Sequence, residues 1–88
     1  MEKLVSYRSF DYLPADPVPV IASFDTEGHI VPLYVRLQGD ACKVDSYWFS
    51  DKYAGITEYH CKIKDGGYLR ALLLTYYHTE RIWTIPRH

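Results

Sequence analysis

Two apolar, β-branched and aromatic runs meet at Asp65-Gly66-Gly67, and this junction narrows the possible folds more than any other stretch. Ile56 to Lys64 lies on one side and Tyr68 to Tyr77 on the other. Paired glycines between such runs supply the positive φ angles of a tight, correctly twisted hairpin turn. In the first run Tyr59, Cys61 and Ile63 fall on one face and Glu58, His60, Lys62 and Lys64 on the other, the alternation of a half-buried strand. In the second, Leu69, Ala71 and Leu73 are matched by Leu72 and Leu74 on the opposite face, as in a central strand covered on both sides over part of its length. A buried helix competes for Leu69 to Tyr77, because leucine, alanine and arginine are helix formers. The preceding turn and Thr75-Tyr76-Tyr77 favour the strand. Arg81 to Ile85 reads as a third strand, with Trp83 in the core.

The remaining chain follows the same logic. Val18 to Phe24 and His29 to Gln38 form a hairpin across Asp25-Thr26-Glu27-Gly28, which suits a type I turn closed by a left-handed glycine. Along its second strand Val31, Leu33, Val35 and Leu37 share a face and Ile30, Pro32, Tyr34, Arg36 and Gln38 the other, with Pro32 marking an edge or a bulge. A turn at Gly39-Asp40 leads to Cys42 through Phe49, where Cys42, Val44 and Trp48 alternate against Lys43, Asp45 and Tyr47, with a register shift expected across Ser46. Ser50 to Gly55 is the longest polar connection, and Trp48 and Phe49 beside it are candidate exposed aromatics. Residues 1–17 read as an N-terminal arm and proline-rich link: Val5, Tyr7, Phe10, Tyr12 and Leu13 fit a packing arm, an edge strand or a docking segment. Residues 18–88 are the domain. At 88 residues with nine tyrosines, the chain reads as one all-β domain, a small antiparallel meander of five to six strands forming a curled sheet or small barrel.

Charge and motif spacing argue against several functions. The net charge of −1 provides no global field for nucleic acid or an anionic membrane. Residues 1–30 carry two basic against five acidic side chains and residues 31–88 eight against six, which weakens a nucleic-acid reading without closing it. Met1 to Arg8 lacks the apolar core of a signal peptide, and no apolar run approaches a membrane span, so a cytoplasmic location is expected. Cys42 and Cys61 then read as reduced, buried hydrophobes, a cross-strand disulfide being the alternative. His29, His60, His78 and His88 with the two cysteines show no chelating spacing, and adjacent His60 and Cys61 project from opposite faces of a strand, so no metal and no cofactor is expected. Neither a nucleophile motif nor a glycine-rich phosphate loop is present, and most acids lie in turns, so no catalytic residue is assigned and the chain reads as non-enzymatic.

What the pattern offers instead is a binding face. With strands paired in sequence order, Tyr34, Arg36, Lys43, Tyr47, His60 and Lys62 share the outer surface of three neighbouring strands. Tyrosine and arginine anchor protein interfaces, and tyrosines between cations also stack bases and meet phosphates. A solvated sheet face is the plain alternative. The near-zero net charge ranks a protein partner, or a second copy of the chain, above single-stranded nucleic acid, with a small enzyme or ligand carrier third.

Ala22 to Gly28, Ile30, Pro32-Leu33, Lys43 to Asp45, Tyr59 to Ile63 and Arg81 to Trp83 together resemble a family of short β-rich bacterial proteins, found mainly in anaerobic Gram-positive genomes. The likeness spans roughly residues 18–86 and rests on turn glycines and core positions. It implies a compact bacterial β domain and carries no activity. The N-terminal arm is longer here, and the usual basic, glycine-rich link near Lys52 to Gly55 is altered.

Overall fold

The computed structural model describes residues 15–87, and its regular structure is entirely strand. Seven strands follow in order: β1 (Ala15–Pro17), β2 (Val20–Phe24), β3 (Ile30–Leu37), β4 (Asp40–Tyr53), β5 (Ile56–Asp65), β6 (Tyr68–Tyr77) and β7 (Ile82–Pro86). All pairs are antiparallel, and the order across the sheet is β1-β7-β6-β5-β4-β3-β2. Only Val18-Pro19 separates β1 from β2. The Val18 N–H donates to the Trp83 carbonyl at 2.9 Å, and the Pro19 carbonyl accepts from the Arg36 N–H at 3.0 Å. One short segment thus ties β7 to β3, and the twisted sheet curls into a half-barrel.

The class is the one that the alternation predicts; the extra strand is β1, which the sequence places in a proline-rich link. Proline is tolerated there because Val18 turns its N–H toward β7, so by alternation the nitrogen of Pro17 points away from the ladder. The rest of the arm, including Val5, Tyr7, Phe10, Tyr12 and Leu13, lies outside the described residues.

At the β5–β6 hairpin Asp65 faces Tyr68, and Gly66 (φ 61°) and Gly67 (φ 91°) both occupy positive φ, as a two-residue turn of the favoured twist requires. The β3–β4 turn has the same signs with Gln38 (φ 51°) before Gly39 (φ 88°). Between β4 and β5 the turn shrinks to Ala54-Gly55, so Ser50 to Tyr53, expected in a polar loop, belongs to a long strand.

The inner face carries the core: Val35, Cys42, Val44, Tyr59, Cys61, Ile63, Leu74 and Trp83, with Val18, Val20, Ile30, Leu37, Leu72, Tyr76 and Ile85 packed against them. Along β5 the predicted alternation holds without a break. On β3 and β4 it does not. Ile21 pairs with Tyr34 but Ala22 with Pro32, so Leu33 is a bulge; Pro32 and Ile30 swing onto the core face and Leu33 is left half-exposed. The expected face of Val31, Leu33, Val35 and Leu37 is therefore split at Leu33. Likewise Val44 pairs with Ile63 but Ser46 with Lys62, making Asp45 the extra residue. Because a single inserted residue exchanges the two faces, Tyr47 and Phe49 turn inward and Trp48 outward. The shift lies where one is expected, at Ser46, and Trp48 is exposed as expected, but Tyr47 is on the opposite face from the one its alternation with Trp48 gives.

Cys42 stands opposite Val35 and Cys61 opposite Tyr47, too far apart along β4 to pair, and both are free thiols. Burial raises both above the ordinary thiol range, Cys61 to about 11. In the folded protein both thiols should react with iodoacetamide about two orders of magnitude more slowly than in urea at the same mildly alkaline pH. Mass spectrometry over time checks this; rapid labelling of folded Cys61 contradicts its place in the core. Among the described residues, no helix is long and apolar enough to cross a membrane.

Candidate binding face

Alternation along β5 sends Glu58, His60, Lys62 and Lys64 outward, opposite the core residues. On β3, Tyr34 and Arg36 flank inward Val35, and the register sets Tyr34 beside Lys43. The structure therefore brings Tyr34, Arg36, Lys43, His60 and Lys62 onto one outer face, as the sequence predicts. Tyr47 is not among them: it belongs to the opposite, inner face, where it is 37% exposed and its ring lies 5.8 Å from that of Tyr59. Its place is taken by Trp48, which pairs with His60 across the β4–β5 ladder.

Trp48 is 61% exposed and lies flat on His60, with ring centroids 3.9 Å apart and an interplanar angle of 6°. Glu58 sits beside this pair, 3.9 Å from His60 Nε2, while its other oxygen meets Lys52 Nζ at 3.4 Å. Lys64 is paired with Asp45 at 3.9 Å. Among the described residues, Arg36, Lys43 and Lys62 have no carboxylate partner. Trp48, His60, Lys62, Ser46 and Ala71 help line a shallow depression of about 260 Å³. Ile21, Leu33, Tyr34 and Leu69 are further exposed apolar side chains of the sheet. The arrangement offers a planar π surface for an aromatic or apolar group, and cations beside it for carboxylates or phosphates.

Phe49, the second candidate exposed aromatic, is 44% exposed but belongs to the inner face, with its ring 5.9 Å from His29 and 5.8 Å from Tyr59. It helps line a cleft of about 330 Å³ at the end of the half-barrel, with Phe24, Asp51, Thr57, Tyr59 and His78. Here the Thr57 hydroxyl donates to Asp51 Oδ1 at 2.7 Å and lies 2.7 Å from His78 Nε2. The hydroxyl is buried and engaged on both sides, which suits a tie between β4, β5 and the β6–β7 turn better than a free nucleophile. Nothing in the sequence pattern marks these three residues; only the register Asp51 opposite Thr57 could have signalled the first contact. At the rim Asp25 Oδ1 accepts the backbone N–H groups of His29 and Glu27, each at 2.8 Å, and those bonds, that of His29 foremost, lower its pKa. Asp25 is thereby a turn residue, as its position in the sequence implies. Among the described residues no three histidine, cysteine or carboxylate side chains converge where they could hold a metal ion.

No protein-family model matches the chain, and comparison with curated proteins and with solved structures likewise found no match.

Proposed function

We propose that this chain is a non-enzymatic binding module of a bacterial cytoplasm that docks a protein partner through the outer face of β3, β4 and β5. The observation that carries this reading is Trp48, exposed yet held flat on His60, among three cations without a carboxylate partner among the described residues. An indole already ordered by stacking loses little rotamer freedom when a partner covers it, which is how aromatic anchors dominate interfaces. The matching partner segment presents an apolar or aromatic side chain to Trp48 and carboxylates to Arg36, Lys43 and Lys62. Those rim charges set register and association rate more than affinity.

The same stack favours a second reading, single-stranded nucleic acid, with a base on Trp48 and phosphates on the cations. The net charge of −1 ranks it second. Short peptides combining glutamates with one tryptophan, titrated against the protein by calorimetry, test the first reading. Trp48→Ala should weaken such binding about 10- to 100-fold without changing the circular dichroism spectrum. Binding unaltered by the substitution contradicts the assignment.

A further inference from the structure

A different surface, the outer edge of β2, points to self-association. β2 pairs with β3 along one side, and among the described residues no strand pairs with its other side. Two hydrogen bonds fix which groups face which way: the Pro19 carbonyl accepts from Arg36, and the Asp25 N–H donates to the His29 carbonyl. By alternation Ile21 and Ser23 also face β3, so Val20, Ala22 and Phe24 turn their N–H and C=O groups to the open edge.

Such edges are normally guarded by charge, proline or a bulge on the strand itself. Val20-Ile-Ala-Ser-Phe24 has neither charge nor proline, and the bulge lies on the neighbouring strand at Leu33. Ile21 and Phe24 are 62% and 73% exposed along it. We infer that two copies of this chain join their β2 edges antiparallel about a two-fold axis at Ala22, continuing one sheet across the dimer.

The pattern is self-complementary. Ala22 meets its own copy, Val20 meets the partner's Phe24, and about six interstrand hydrogen bonds close. No charged side chain occurs from Val18 to Phe24, so the ladder brings no like charges together. Charges outside it complement one another: the acidic turn at Asp25 and Glu27 arrives at the Pro19 end of the other copy, where Arg36 stands on the adjacent strand without a carboxylate partner among the described residues.

Sedimentation equilibrium of the full chain tests this. From low micromolar to near millimolar concentration the mass should rise from 10.3 kDa toward twice that value. Ala22→Pro removes an N–H that faces the open edge and spares the β3 ladder, so this variant should stay at 10.3 kDa with an unchanged circular dichroism spectrum. Phe24→Lys, which keeps every backbone bond and adds the charge that guards natural edges, should do the same if Ala22→Pro disturbs the fold. A wild-type chain that remains a monomer throughout overturns the inference. So does a dimer that survives Phe24→Lys, since the interface would then lie elsewhere.

Discussion

Tyr59→Ala should destabilise the protein by about 4 kcal/mol and lower its melting temperature by about 20 °C. Tyr59 is 3% exposed, and its ring packs 5.1 Å from that of Trp83 and 5.8 Å from those of Tyr47 and Phe49. Its hydroxyl donates to the Ile30 carbonyl at 2.8 Å, joining β5 to the start of β3 across the half-barrel. Truncation would open a cavity inside the aromatic cluster and remove that donor, and both effects add. Tyr59→Phe isolates the second, at about 1 kcal/mol.

The same residue gives the fold a pH dependence of defined sign. Burial pushes the Tyr59 phenol from its ordinary 10.0 up to about 12, and the Cys61 thiol from 9.0 to about 11. Both groups hold their protons more tightly when folded than when unfolded. Their contribution is therefore complete below pH 9 and declines as pH rises through 11 and 12. Tyr59→Phe should flatten the upper part of that decline. Denaturant midpoints measured from neutral pH to pH 12 check both statements, and equal slopes in the two proteins would contradict the burial of the phenol.

Ile63→Ala should cost about 3 to 4 kcal/mol, a large part of the total stability of a domain this small. Ile63 is fully buried in the core of the inner face, paired with Val44 on one side and Arg70 on the other. Its neighbour Lys62 points outward without an ion pair among the described residues, and Lys62→Ala should change stability by less than about 0.5 kcal/mol. Thermal melts of the two variants side by side read the face assignment of β5 directly. A similar loss in both would mean that the strand is not buried on one face only.

How far the molecule was legible in its sequence follows from where the strands are regular. β5 alternates without interruption, so the faces of Tyr59, Cys61 and Ile63 and of His60 and Lys62 could be read from pattern alone. The β5–β6 turn was legible because two adjacent glycines admit few backbone solutions. The faces are misread before Leu33 on β3 and after Asp45 on β4, because no composition marks the residue at which a bulge is inserted, and the side chains on one side of it change face. That is why Tyr47 is expected on the outer face, whereas Trp48, a candidate exposed aromatic beside the polar connection, is exposed as expected. β1 was hidden because a proline suppresses a strand reading even where its nitrogen faces away from the ladder. The Asp51–Thr57–His78 contacts were illegible for another reason: they join residues brought together by hairpin register and a distant turn, not by spacing.

The proposed function rests on the outer face, and an amide-resolved NMR titration of the isotope-labelled protein tests it most directly. The probes are the acidic, tryptophan-bearing peptides and a mixed pool of single-stranded RNA and DNA, each at physiological salt. Peptide-induced shifts should be confined to Tyr34, Arg36, Lys43, Trp48, His60 and Lys62, and absent in Trp48→Ala. Shifts at these positions with the nucleic acids alone, weakening steeply with added salt, would replace the protein partner by the second reading. A spectrum unmoved on this face by either probe would contradict its role as a binding surface.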